Sequence, residues 1–189
     1  MMINEVMQFL LDVFLQGFAG LLLFRFLLQW LRAPMRNPVG EFVMALTDFL
    51  VLRARRYIPS VRRLDSSTLL LAFFFELIYL SLTLWVQGHP FAYFPLPGLL
   101  AWSTVELFRL SLYFLMGALV AQAILSWVNP YTPLAPLLSA ITQRFLRPLQ
   151  RILPLVGNVD LSPLLLLVIC QIILFSPVAL IENMAKRLL

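Results

Sequence analysis

The sequence predicts an all-α membrane protein whose four transmembrane helices form two parallel helix–amphipathic helix–helix repeats. Three observations predict it. Charged residues are 12% of the 189, about half the share usual in a soluble domain, and the mean hydropathy is +0.91. Four apolar stretches are long enough to cross a bilayer, which takes roughly 20 residues: Val6–Leu31, Ser66–Gln87, Leu99–Val128 and Leu161–Ile181. The chain also repeats itself. Ile58-Pro59-Ser60-Val61 leading to Asp65-Ser66-Ser67 returns 95 residues later as Leu153-Pro154-Leu155-Val156 leading to Asp160-Leu161-Ser162.

At the same offset Thr47 matches Thr142, Arg56 matches Arg151, and Leu69-Leu70-Leu71 matches Leu164-Leu165-Leu166. Trp30 matches Trp127 at an offset of 97, so the first copy carries two extra residues after its Trp. Such a period, flanked by apolar runs, marks a duplicated membrane module. The copies divide as residues 1–87 and 99–189, joined by a loop over 88–98.

The first stretch is preceded by Glu5 and no basic residue, and no small-residue cleavage site closes it, so it reads as a retained helix. Seven arginines occupy the loop after it: Arg32, Arg36, Arg53, Arg55, Arg56, Arg62 and Arg63. The loop after the third span holds Arg144, Arg147 and Arg151, whereas the loop between the copies has no Lys or Arg. By the positive-inside rule the two basic loops are cytoplasmic and both termini lie on the other side. Lys186 and Arg187 in the C-terminal tail run against that assignment.

Within each basic loop the pattern predicts a helix, over 38–57 and 133–152. Leu134, Leu137, Leu138, Ile141, Phe145, Leu149 and Ile152 recur at helical spacing, with Gln143, Arg144, Arg147, Gln150 and Arg151 on the other face. The first copy supplies Val39, Phe42, Val43, Leu46, Leu50, Ala54 and Tyr57 in the same frame. Amphipathic helices with a basic face, held between two spans, are expected at the headgroup level. Their arginines attract anionic lipid at roughly 1 kcal/mol each. Pro38 and Pro133 open these helices and Pro59 and Pro154 mark their exits. Pro148 predicts a kink or an early end in the second.

The tandem order of Trp, Asn-Pro or Thr-Pro, Thr, Arg-x-x-Pro and Asp-x-Ser resembles the YggT family of small integral membrane proteins, which has bacterial members and plastid relatives. The resemblance covers 6–87 and 99–181, and its most specific piece is Val159-Asp160-Leu161-Ser162-Pro163. Family members place Pro two and six residues after the Thr. Here those positions are Phe49 and Arg53, then Arg144 and Pro148. The resemblance implies a multi-pass protein of the bacterial cytoplasmic (inner) membrane without enzymatic activity. It also implies associations with cell division, osmotic tolerance and, in plastids, cytochrome maturation.

Asp65 and Asp160 stand before spans two and four, with Ser67 and Ser162 just after them. Capping of the first helical amides is their expected role, and binding of a cation or partner is the alternative. Arg55, Arg56, Arg62, Arg63, Arg147 and Arg151 either mark topology or contact lipid headgroups or an acidic partner. The repeated signature is Thr47, Pro59, Asp65 and Ser67, then Thr142, Pro154, Asp160, Ser162 and Pro163. Asp12, Glu76, Glu106 and Arg109 lie inside the spans. Such charges mark functional sites often enough to test. Since Glu76 corresponds to Gln171 and none of the four recurs as a charge, interhelical pairing is the expectation, with Arg109 reaching Glu106 or Glu76. Arg25, near the inner end of span one, is expected to snorkel.

Catalysis finds no support. His89 is the single histidine and sits in a turn away from the basic loops, Cys170 is the single cysteine, and the seven glycines form no phosphate loop. No metal or other cofactor and no direct nucleic-acid contact are expected. The composition points to a scaffold or assembly factor that engages anionic lipid or proteins through the basic helices, with homo-oligomers plausible on packing grounds. The alternative is a channel or solute-transport component using Glu76, Glu106 and Arg109.

Overall fold

A computed structural model describes residues 2–58, 65–88, 95–129, 131–152 and 160–188. Pro59, Arg62, Arg63, His89 and Pro154 lie outside the described residues. Among those described, every regular element is helical. The first span is α1 (Met2–Leu11), a π-helical turn over Asp12–Gln16, and α2 (Gly17–Trp30). There follow α3 (Pro38–Ala54), α4 (Ser66–Val86), α5 (Leu96–Val128) and α6 (Ala135–Ile152). The last span is α7 (Ser162–Ile173), a second π turn over Leu174–Val178, and α8 (Ala179–Lys186).

Four units are long and apolar enough to cross a membrane: Met2–Trp30, Ser66–Val86, Leu96–Ser126 and Ser162–Lys186. The chain is therefore a membrane protein of the predicted fold class. The bounds differ most at its two ends, where hydropathy stopped at Val6 and Ile181. Asn4, Glu5, Glu182 and Lys186 lower the apolar score there, yet the helices run through them. Asn4 donates to the Val86 carbonyl at 3.4 Å. Pro177, which has no amide proton, falls inside the second π turn. A widened turn accommodates a proline without ending the helix.

Local chemistry explains how α3 begins, whereas α6 starts at Ala135, so Pro133 stands in the turn before it and does not open it. Leu31 and Arg32 close α2, Arg32 in the left-handed region at φ 55°. Asn37 is the N-cap of α3, its side chain accepting from the Gly40 amide at 2.9 Å, and Pro38 occupies the first turn. A Cβ at Gly40 would collide with the Met35 backbone carbonyl, so this entry turn requires glycine. Pro148 lies inside α6, which continues to Ile152 and does not end early.

The core sits where the helices cross. Leu22, Leu23, Val51, Ala72 and Leu107 join α2, α3, α4 and α5 in one buried cluster. Leu28, Leu119, Leu137, Ile141, Leu166 and Cys170 belong to another that unites the two copies. The ring of Phe24 meets that of Phe114 at 5.0 Å between centroids, and the Arg144 guanidinium lies 4.8 Å from the Trp30 ring centroid. These contacts put α3 and α6 at one end of the bundle, the basic end. Outward-facing Phe9, Phe14, Phe74, Trp85, Phe108 and Phe175 are exposed, as surfaces that meet lipid are.

The two linker helices differ. On α6 the apolar residues Leu137, Leu138, Ile141 and Leu146 are buried, while Gln143, Arg144, Arg147 and Arg151 face outward. On α3 the buried side is Gly40, Val43, Thr47 and Val51. Phe42, Leu46, Phe49 and Leu52 are exposed there, as is Tyr57 just beyond the helix. The shared frame thus fails at its last position in both copies, Tyr57 and Ile152, and at Phe42 and Leu46 in the first: α3 is apolar around most of its circumference, and one side remains uncovered.

Candidate functional site

Each linker helix is fastened to the spans at two points, and the fastenings recur in the repeat. In the first copy Arg25 of α2 is almost completely buried and donates through Nη1 to Thr47 Oγ1 at 2.7 Å. Its Nη2 pairs with Asp48 Oδ1 at 2.8 Å. The Thr47 hydroxyl in turn donates to the Val43 carbonyl at 2.6 Å. Arg25 is therefore not a snorkelling residue: its guanidinium is captured by α3, which removes it from lipid without taking it to water. In the second copy Thr142, fully buried, lies with Oγ1 2.5 Å from Gln122 Oε1 and 3.0 Å from the Leu138 carbonyl. Gln122 stands to Thr142 as Arg25 does to Thr47, at the offset of 97 that relates the two Trp residues.

The second fastening joins the far end of each linker to the start of the next span. Arg55 donates to Asp65 Oδ2 through Nη2 at 2.5 Å and Nε at 3.2 Å. Thr68 Oγ1 donates to the same oxygen at 2.5 Å. Burial pushes the Asp65 carboxyl up, but the hydrogen bonds from Arg55 and Thr68 and the guanidinium charge together outweigh it and hold the group below its ordinary value. Ser67 Oγ donates to the Ile58 carbonyl at 2.8 Å. In the second copy Gln150 Nε2 donates to Asp160 Oδ2 at 2.7 Å, and the Ser162 amide donates to Asp160 Oδ1 at 2.9 Å. The bonds from Ser162 lower the Asp160 carboxyl despite slight desolvation, with help from Gln150. Asp160 thus takes the first amide of α7 as expected, whereas Asp65 makes no side-chain cap hydrogen bond because Arg55 and Thr68 engage its carboxylate. Both anchor the preceding helix. Pro163 stands in the first turn of α7, where Thr68 stands in α4.

Arg56, Arg147 and Arg151 are exposed at the basic end, and Arg147 reaches Gln143 Oε1 at 3.4 Å. Among the described residues none of the three forms an ion pair. Arg55 is different, being committed to Asp65.

A second polar assembly lies at the opposite end. Arg109 pairs with Glu106 at 2.9 Å and with Glu182 of α8. Lys186 pairs with Glu182 at 2.5 Å and sits 4.7 Å from the Trp102 ring centroid. Arg109 does not take up Glu76, because α8 brings it a closer acid. These groups, with Gln8, Gln16, Tyr79, Thr83 and Gln87, line a cavity of about 580 Å³. Asp12 accepts from Gln8 Nε2 and from the Tyr79 hydroxyl, both at 2.9 Å, tying the first π turn to α4. Glu76 is fully buried, and neither carboxyl oxygen has a hydrogen-bond partner among the described residues. Among those residues no group of three or more metal-ligating side chains forms.

The duplicated fastening coincides with a known domain. The family description CCB3/YggT matches residues 4–86 and again 101–181. The chain belongs to the CCB3/YggT family. It is 32% identical over 173 residues to an uncharacterized protein of Pseudomonas aeruginosa, covering 89% of this chain and 87% of that one. To YggT of Escherichia coli it is 26% identical over 195 residues, covering 98% and 96%. An uncharacterized protein of Vibrio alginolyticus is 28% identical over 163 residues, covering 86% and 88%. No solved structure gives a significant match. Within this YggT-family chain the sequence reasoning overlooked Asp48, Gln122, Gln150, Glu182 and Lys186. The repeat offset held the signal for Gln122 and Gln150, since it aligns them with Arg25 and Arg55.

Proposed function

We propose that this YggT-family protein is a non-catalytic scaffold or assembly factor of the bacterial inner membrane, with its basic end on the cytoplasmic side and both termini outside. One observation carries the reading: both linker helices are fastened at two points by buried or anchored polar contacts, and both keep their outer faces free. A helix restrained in this way loses little further freedom when it meets a partner, which favours binding. The two helices offer different surfaces: α3 an apolar one at Phe42, Phe49 and Leu52, with Arg56 just beyond it, and α6 a basic one at Arg147 and Arg151. These suit a partner that brings apolar groups to α3 and acidic groups, or anionic lipid, to α6.

Affinity purification from native membranes tests the reading, comparing wild type with the double variant Arg56→Glu, Arg151→Glu at matched expression. Specific proteins that co-purify with wild type and are lost from the variant are the expected result. Equal recovery from both, or no enrichment in either, defeats it.

A second reading, a solute- or ion-conducting component, draws on the polar cavity and on Glu76. Under it Glu76→Gln changes flux in reconstituted liposomes while the thermal stability of the protein stays the same. A loss of stability without altered flux leaves Glu76 a packing residue.

A further inference from the structure

The way α2, α4, α5 and α6 meet leaves a laterally open groove of about 640 Å³ between the two copies. Its walls are apolar, with Leu27 and Trp30 from α2, Phe73 from α4, Phe108 and Leu115 from α5 and Phe145 from α6. Along α5 the lining runs from Thr104 to Leu115, about 16 Å at 1.5 Å per residue. That is close to half of the roughly 30 Å hydrocarbon core, the depth of one leaflet. A groove of this length and volume takes a hydrocarbon chain, and the charge at its end sets the kind of headgroup it would hold.

Its end at α6 is basic. Arg144 is exposed, lies with its guanidinium over the Trp30 ring, and has no carboxylate partner among the described residues. A guanidinium stacked by its face still offers an edge that fits phosphate bidentately, and tryptophan is favoured at the headgroup level. We infer that the groove binds an anionic phospholipid, with one acyl chain along α5 and the phosphate at Arg144. The site uses neither Arg56 nor Arg151, so it stands or falls apart from the docking surface proposed above.

The test reconstitutes the purified protein into vesicles of equal phosphatidylglycerol and phosphatidylcholine, extracts it in mild detergent and reads retained lipid by native mass spectrometry. Wild type is expected to retain phosphatidylglycerol preferentially. Arg144→Gln should cut that preference about fivefold, the worth of one basic residue near the surface. Ser111→Trp, which fills the groove from α5, should abolish retention of either lipid. A protein whose only tryptophan is Trp30, placed in vesicles with brominated acyl chains, keeps the test decisive if the filled variant does not fold. Its emission should be quenched more by brominated phosphatidylglycerol than by the choline lipid, and Arg144→Gln should remove the difference. Equal quenching by the two lipids overturns the assignment, as does undiminished retention by folded Ser111→Trp. A dimer that Ser111→Trp disperses, with no lipid retained, gives the groove to a second copy and also overturns it.

Discussion

The two linker helices solve one problem with different chemistry. In the first copy the fastenings are ionic: Arg25 with Asp48 and Thr47, Arg55 with Asp65. In the second they are neutral or nearly so: Gln122 with Thr142, Gln150 with Asp160. The outer surfaces are reversed. The helix locked by charge shows Phe42, Phe49 and Leu52 to its surroundings, while the one locked by amides shows Arg144, Arg147 and Arg151. Duplication has preserved where the contacts fall and let their chemistry drift.

Exchanging the chemistry between copies probes this contrast. The largest effect is expected from Arg25→Ala. It leaves Thr47 buried without its donor and frees Asp48, costing about 3 kcal/mol in detergent unfolding experiments, at the lower end for a broken buried pair because Asp48 is part-exposed. Gln122→Arg puts a charge into the second copy where Gln143 stands in place of Asp48, and should cost about 2 kcal/mol. Adding Gln143→Asp should recover more than half, which a double-mutant cycle measures directly.

Asp65→Asn should cost about 1–2 kcal/mol, since Arg55 and Thr68 both lose a charged acceptor, whereas Asp160→Asn in its exposed setting should cost less than about 0.5. The acid response follows from the same pair. Asp65 titrates below its ordinary value when folded, so its stabilisation is complete above the unfolded value near 3.9 and fades as pH falls through the lower folded value. Arg55→Gln, which gives the first copy the second copy's chemistry, should flatten that acid slope in thermal scans below about pH 4. The smallest effect on stability belongs to Phe42→Ser, within about 0.5 kcal/mol. If α3's bare face recruits a partner, this variant still loses co-purifying protein.

The four spans were legible because bilayer crossing demands long apolar runs, and each run survives in single-sequence form. The fastenings were less so. Arg25 and Asp48 are distant in sequence, and nothing local in either marks the other. The uncovered side of α3 escaped because a helix apolar nearly all round has no face to read, and an assumed frame copied from α6 filled the gap. Glu182 and Lys186 read as tail because charge ends a hydropathy window, although Arg109 and Trp102 receive them inside the bundle. Paired charges look like a boundary to any measure that scores residues one at a time.

The turn at Leu174–Val178 sets the phase of the end of the last span. Each residue of an α-helix advances the next side chain by about 100°, and a π turn takes up one residue more than an α turn. Everything after Val178 is therefore rotated from where an uninterrupted helix would carry it, and in that rotated phase Glu182 and Lys186 meet Arg109 and Trp102. Removing one residue from 174–178 would let the turn close as an ordinary α turn and keep those charges in phase, whereas removing one between Val178 and Glu182 would rotate them by about 100° toward a different neighbour. The phase of the helix, more than the identity of any one residue in the turn, decides whether an acid in this span faces protein or lipid. Within this family a one-residue deletion inside the turn would be tolerated better than one just after it.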